Sequence, residues 1–441
     1  MAEPIRVETD LIPAGLYGSS QDWTGLTVTR QLARPLFTEG PERTLCSGLL
    51  GVPQRIDDTR WDFTVDPAAR WSDDRPLHAV DTARHMVNVS RQAGPFAWLM
   101  SFIAQIQPIS ATRLRVTTRH PFGNLPALLA NPVFGPRHQN PAITSGAYTL
   151  PAQTPGELRL RSVGPWPDAT YVLSSSARHG QELFDRRAVD ITCPTTFPVP
   201  QWARSEDYPE LRVDDLDIVV ALMPPAGMAP SLGQALGTAL DRRALAREVH
   251  GAIEPIDSFT HLWCRGAPVS PPQEAHDLFR EWVRDPVPLV FPDFSPNREM
   301  ARVLAEQIYD HTGLTVLPKA IGYQSYLTEL SSTHREAFRL VLVAAPWPAP
   351  VAPLVPFTHR PLAQASDGQT SAFKDAVFRA LAADDPQEHL RLTTRAERLL
   401  AATGQICLFG RLRSATRLRV RNYISPPSGW VDLSACEPLR S

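Results

Sequence analysis

The side chains most able to do chemistry are few and scattered. His261-Leu-Trp-Cys264 has an H-x-x-C spacing, and His276 follows twelve residues after Cys264. Zinc needs four ligands in a structural site or three plus water in a catalytic one, and no fourth partner stands in pattern here. His120, His138 and His179 are isolated. The chain holds no GxSxG elbow, phosphate-binding GxxxxGK[ST] loop, GxGxxG turn or HExxH pair, so nucleophilic, nucleotide and zinc-hydrolase chemistry lack their usual scaffolds. Asp73 and Asp74 form a carboxylate pair by spacing alone. No metal, cofactor or catalytic residue is expected. What remains is aromatic surface. Trp23, Trp263 and Trp347, with Tyr17 and Gln21, are the candidate ligand-binding residues, because closed pockets are lined by rigid apolar rings and a few polar groups.

The elements that position them alternate. Ile5–Glu8 and Arg60–Val65 read as short strands, the second with its aromatics on one face. Asp81–Gln92 has helical spacing, with Asp81 where a carboxylate favours the helix dipole. Leu158–Ser162 alternates again. Leu232–His250 reads as one amphipathic helix, with Leu232, Leu236, Leu240 and Leu245 along one face. From Pro288 to Val343 the pattern is strand, helix, strand, helix, strand: Pro288–Phe291, Asn297–His311, Leu314–Leu317, Tyr323–Ser331 and Phe338–Val343. That order predicts a mixed or parallel sheet covered by helices. A helical region, Ser371–Thr403, leads to strands at Ile406–Phe409 and Arg417–Val420.

Composition narrows the class further. The chain has 441 residues, 43% hydrophobic and 20% charged, about three domains' worth of ordinary globular sequence. Its 44 basic and 46 acidic residues leave a net charge of -2, without the basic excess of a nucleic-acid binder. Only Lys319 and Lys374 are lysines, and prolines number 44, about twice the usual share. The five cysteines (Cys46, Cys193, Cys264, Cys407 and Cys436) are odd in number and include no CxxC pair, which fits a reducing compartment better than a disulfide scaffold. Residues 1–8 carry no basic or apolar leader pattern, so the chain as written is expected in the cytoplasm, or at the periplasm or cell surface if a leader was removed. Leu340–Phe357 lacks charge but holds five prolines, so no helix is expected to cross a bilayer there.

Several segments, in order, resemble the bacterial extracellular solute-binding proteins of family 5, the oligopeptide, dipeptide and nickel binders of ABC importers. Residues 61–81 (WDFTVDPAARWSDDRPLHAVD) resemble the family's strand, turn and helix start, F-x-L-R-x-G-V-x-F-S-D-G-x-P-L-T-A-x-D. Asp73-Asp74 stands for its Asp-Gly turn and His78 for its N-cap threonine. Thr144–Tyr148 resembles G-T-G-P-Y, and Phe184–Ile191 a helix ending in G-x-x-D-I. Leu232–Arg242 resembles V-R-Q-A-L-x-x-A-I-D-R, with Gly233 in place of the arginine. The segment Gly429-Trp-Val-Asp432 is similar to the ending of the cytoplasmic solute-binding domain of the sugar-phosphate stress regulator.

The resemblance implies an α/β fold of the type II periplasmic binding kind: two lobes, a double hinge and a small extra subdomain. Lobe one would take residues 1–221, with the subdomain at about 44–150, and 404–441; lobe two would take 222–403. Rotation about crossovers near Leu222 and Gln405 would close the lobes on a ligand. Peptide readers of the family place an arginine before, and an aspartate after, a pocket tryptophan. Here Trp347 stands between Ala344 and Pro350, so neither charge is supplied. The resemblance therefore implies a non-catalytic monomer that binds a small organic ligand other than a free-amine short peptide. It would act as a cytoplasmic sensor or carrier with a regulator or ABC permease as partner. The alternatives are an importer receptor without its leader, and a binding fold recruited to biosynthesis to orient a reactive substrate.

Overall fold

The computed structural model describes residues 3–20, 22–92, 96–193, 210–263, 269–273, 275–280, 286–293, 297–331, 336–359, 362 and 365–439. Strand β1 (Ile5–Thr9) and helix α1 (Trp23–Leu32) open the chain. Asp22 starts α1 by accepting from Gly25 N at 2.6 Å, which satisfies a donor the first turn leaves free. A subdomain follows, made of β2 (Gln54–Arg55), β3 (Arg60–Thr64), α2 (Ala79–Arg91), β4 (Ile103–Pro108) and β5 (Arg113–Thr118). Its antiparallel sheet has the order β2-β3-β5-β4. Trp61 and Phe63, two residues apart on β3, stack with centroids 6.5 Å apart, as same-face strand positions allow. Asp74 sits at φ 66 in the turn before α2, the left-handed conformation that glycine would reach at lower cost. His78 N donates to Asp81 Oδ2 at 3.0 Å at the start of α2.

The chain then returns to the first sheet with β6 (Tyr148–Gln153), β7 (Glu157–Ser162) and β8 (Ala169–Leu173), in the order β1-β8-β7-β6. Two long strands tie this half to the next: β9 (Leu211–Met223) and, near the end of the chain, β14 (Cys407–Arg417). They pair antiparallel with a bulge at residues 216–218, the kind of irregularity that bends and twists a strand. Between them come α3 (Pro230–Ala239), α4 (Arg242–Glu248), β10 (Ile253–Glu254), β11 (Val287–Pro292), α5 (Asn297–Thr312), β12 (Val316–Ile321), α6 (Tyr323–Ser331), β13 (Phe338–Ala344), α7 (Asp367–Ala382) and α8 (Pro386–Ala401). The six-stranded sheet runs β10-β14-β9-β13-β11-β12, with β11 parallel to both β12 and β13. The alternation expected from Pro288 to Val343 is present, and the mixed sheet follows from it.

Three segments differ from their sequence pattern. Leu232–His250 is two helices, because Asp241 caps α4 through Ala244 N (2.9 Å) and Gln307 holds both backbone groups of Asp241 (3.0 and 3.1 Å). Ser371–Thr403 also divides, with Asp385 capping α8 through Glu388 N at 2.8 Å. The two short strands near the end are instead β14, eleven residues long, with Val420–Arg421 after it. Gly233 is explained by contact. A Cβ there would lie 2.1 Å from Gly404 O, so no larger residue fits without moving one of the two backbones.

One continuous core joins the subdomain to residues 345–359 and to α7 and α8. Gly123 N donates to Leu381 O at 2.7 Å and Asn131 Nδ2 to Pro346 O at 2.8 Å across this contact. A second core lies under the helices α3 to α5, and a third under the first sheet. Among the described residues no helix is long and apolar enough to cross a membrane.

Candidate functional site

A cavity of about 430 Å³ opens between α1 with the chain end, the subdomain and the six-stranded sheet. This is the volume range of small-molecule sites. Its floor is β13, from Leu340 through Ala344, continuing into Ala345 and Pro346. The β13 strand pairs with β9 over Arg339–Ala344 but with β11 only at Phe338 and Arg339. The far half of β13 therefore presents an edge to the cavity. Leu342 and Ala344 are exposed there, although the strand lies in the middle of its sheet. The opposite wall comes from α1 and the chain end: Asp22, Trp23, Leu26, Ser428 and Trp430. Phe96 and Trp98 of the subdomain and Phe357 and Leu362 complete an apolar lining.

Polar groups in this lining divide into two kinds. Asp217, in the β9 bulge, is fully engaged. Arg43 Nε donates to its Oδ2 at 2.9 Å and Arg411 Nη2 to its Oδ1 at 3.4 Å. Its N–H donates to Pro427 O at 2.7 Å, and its carbonyl accepts from Ala345 N at 2.9 Å. Arg43 also reaches Leu262 O at 2.7 Å. Asp22 is occupied as the cap of α1, and burial raises its pKa. By contrast, Trp23 Nε1 and Asn297 Oδ1 are shielded from solvent and have no hydrogen-bond partner among the described residues. Asn297 is 1% exposed and donates its Nδ2 to Pro292 O at 3.1 Å. Buried polar atoms in native proteins are paired in the great majority of cases, so an orphan beside a cavity calls for an explanation. Glu39, behind Ser428, accepts from Ser428 N at 3.1 Å, while its Oε1 has no hydrogen-bond partner among the described residues. Burial pushes its pKa up to about 7, against the opposing hydrogen bond from Ser428.

The aromatic residues singled out in the sequence scatter. Trp23 lines the cavity. It is held there by Gly429, at φ 73, where a Cβ would meet Trp23 Cζ2 at 2.0 Å. Trp347 stands behind the wall, 1% exposed, against Trp98, Phe102 and Phe122 at 6.1 to 6.4 Å. Its ring supports Trp98, which does face the cavity. Trp263 packs at the rim of the core with Arg43 over its ring at 4.9 Å. Tyr17 belongs to the core of the first sheet, under the guanidinium of Arg137 at 5.0 Å. Gln21 lies outside the described residues. Sequence reasoning missed Trp98, Trp430 and Asn297. The Gly-Trp segment at 429–430 was in view, but nothing in it signalled a wall residue.

His261 pairs with Asp257 at 3.2 Å, and His276 Nε2 lies 2.8 Å from Asp310 O. Cys264 lies outside the described residues. No cluster of three metal-ligating side chains occurs among the described residues.

No family model and no curated protein matches the sequence. Solved structures do. The Haemophilus influenzae OppA complex with the peptide RPPGFSPFR aligns at 16% identity over 100% of this chain and 99% of that one, TM-score 0.83. The fold is that of the family 5 solute-binding proteins. The Escherichia coli murein tripeptide binding protein MppA aligns at 15% identity over 100% of this chain and 99% of that one, TM-score 0.80. Staphylococcus aureus NikA with Ni(L-His)2 aligns at 15% identity over 99% and 100%, TM-score 0.79. An unliganded open form of MppA scores lower, 0.71, at 16% identity over 99% and 97%.

Proposed function

We propose that the protein is a non-catalytic solute receptor that closes two lobes over a neutral, largely apolar organic ligand. The observation that carries this reading is the cavity itself: apolar walls, a stretch of β13 beyond Arg339 that lacks a strand partner on its β11 side, and two polar atoms without a hydrogen-bond partner among the described residues. Lobe one (1–221 and 404–441) supplies Trp23 and Trp430; lobe two (222–403) supplies the β13 edge and Asn297. A ligand acceptor would receive the Trp23 Nε1 proton, and a ligand N–H or O–H would donate to Asn297 Oδ1. An extended ligand with amide groups could also pair along β13, as added strands do.

Charge argues against a zwitterion. Asp217 is already bound by two arginines and Asp22 caps a helix, and no lysine, arginine or histidine stands among the described lining residues. Desolvating an ammonium or carboxylate without a partner costs several kcal/mol. Calorimetry should therefore show tighter binding of N-acetylated, C-amidated short peptides than of the free ones. Binding that acetylation abolishes would assign the amine to Asp22 and overturn this ligand class. Closure is tested by small-angle scattering, where saturating ligand should reduce the radius of gyration; an unchanged radius would contradict the hinge.

For cellular duty we place the ABC importer receptor first, since neighbours of this fold include periplasmic and peptide-transporter binding proteins. The cytoplasmic sensor is second and rests on the free thiols, Cys46 being exposed. Fractionation of cells expressing the native gene separates the two.

A further inference from the structure

A second pocket, of about 360 Å³, lies in the subdomain, apart from the interlobe cavity. One side is the outer face of α2, where Arg84, Asn88 and Arg91 follow at helical spacing. Facing them are Arg137 and His138. Elsewhere in the subdomain several arginines are paired: Arg55 with Asp58, Arg60 with Asp57, and Arg113 and Arg115 with Asp62. In the pocket, Arg84 has Asp81 at 3.3 Å. Arg91 and Arg137 have no carboxylate partner among the described residues, and Arg137 is fixed by its stack on Tyr17. In a chain of net charge -2, this is a local excess of positive charge.

A hydrogen-bond conflict at the pocket edge points the same way. His138 Nδ1 accepts from Asn140 N at 3.0 Å. A neutral imidazole has one acceptor nitrogen, so its Nε2 carries the proton. That proton faces Arg75 Nη2 at 3.1 Å. Arg75 is tied to Asp73 through its Nε at 2.7 Å and is not free to turn away without losing that bond. Two donors thus oppose each other with no acceptor between them. An oxyanion seated beside them would accept from both.

We propose that this pocket binds the phosphate group of a small organic phosphate or of a lipid headgroup. The guanidinium groups of Arg91 and Arg137 would grip the oxygens, with His138 and Arg75 donating at the edge. Planar forks of N–H groups match phosphate oxygens two at a time, which a lysine cannot do. The site would act independently of the interlobe cavity, with Trp71 as its apolar side.

The test titrates inorganic phosphate into the full chain at low ionic strength, by calorimetry and by histidine NMR. Saturable binding is expected, with movement of the His138 ring signals. The R91A/R137A double variant, whose side chains are exposed and outside the core, should weaken it by about tenfold or more. An R91K/R137K variant keeps the charge and should still bind more weakly than the parent. Co-sedimentation with phosphatidylglycerol vesicles, absent with phosphatidylcholine and lost in R91A/R137A, would make the source a lipid headgroup. Phosphate binding without co-sedimentation would make it a soluble phosphate. Absence of saturable binding in the parent, or equal binding in parent and R91A/R137A, would overturn the proposal.

Discussion

The bulge around Asp217 and the cavity beside it treat buried polar groups in opposite ways. At Asp217 the carboxylate, the N–H and the carbonyl all have partners, drawn from residues 43, 345, 411 and 427. Elsewhere in the cavity lining, Trp23 Nε1 and Asn297 Oδ1 have none among the described residues. A satisfied network in a low dielectric fixes geometry, whereas an orphaned group is a standing cost that a ligand can remove. The contrast separates residues whose polar groups hold the bulge from residues whose polar groups are left for a ligand under the proposed reading.

The largest expected break of this contrast is Asp217→Ala. It removes the carboxylate that Arg43 and Arg411 share, leaving Arg411 only its longer contacts to Asp215 and Glu254 (3.6 and 3.8 Å), and removing one partner of a buried ion pair costs about 3 to 5 kcal/mol. Urea denaturation should show that loss, while an equal loss in Trp23→Phe would erase the distinction between the two regions.

Glu39 sharpens it through pH. A glutamate held near 7 in the fold, against about 4.3 in the unfolded chain, binds more protons when folded. Its contribution therefore favours the folded state at low pH and declines as pH rises from about 4.5 to about 7, by a few kcal/mol at most. His85, lowered to about 4 by burial, titrates with the opposite sign. Its stabilising effect grows over the same window. The relevant quantity is consequently the difference between wild type and Glu39→Gln, which should gain stability relative to wild type between about pH 5 and about pH 8. A pH-independent difference would remove Glu39 from the account.

Gly429→Ala probes the support of the binding side. The new Cβ meets the Trp23 ring, and φ 73 is strained for alanine, so about 1 to 3 kcal/mol of stability should go. The Trp23 fluorescence environment should change with it. An unshifted spectrum would mean that the ring is not held by that contact.

The smallest effect is the most diagnostic. Trp23→Phe removes an unpartnered donor, so the unliganded protein should lose little stability, within about 1 kcal/mol. Ligand affinity should still fall by about the worth of one hydrogen bond, roughly threefold to tenfold. A large loss of stability with unchanged affinity would make Trp23 a packing residue only.

Much of the scaffold was legible beforehand because local patterns encode it. Phe338–Val343 reads as a buried strand from its apolar run, and Tyr323–Ser331 as a helix from its spacing, since both depend on neighbours within a turn or a pleat. The turn at Asp73-Asp74 was legible only through the family resemblance, and the left-handed Asp74 within it is a feature of the fold. Where tertiary contacts competed, the pattern misled: the leucine stripe from 232 to 245 continues across Asp241, yet Gln307, 66 residues away, fixes a break there.

The site was less legible. A tryptophan carries the same sequence signal whether its ring closes a core, as Trp347 does, or faces a cavity, as Trp23 and Trp98 do. That Ala344 and Pro350 carry no charge is plain from the chain, because side-chain chemistry belongs to the residue itself, whereas the expectation of charges there comes only from the family resemblance. Which edge of β13 stays open, which arginines reach Asp217 and which donors stay unpaired depend on strand order and on contacts hundreds of residues apart. Those are properties of packing, and only the folded chain decides them.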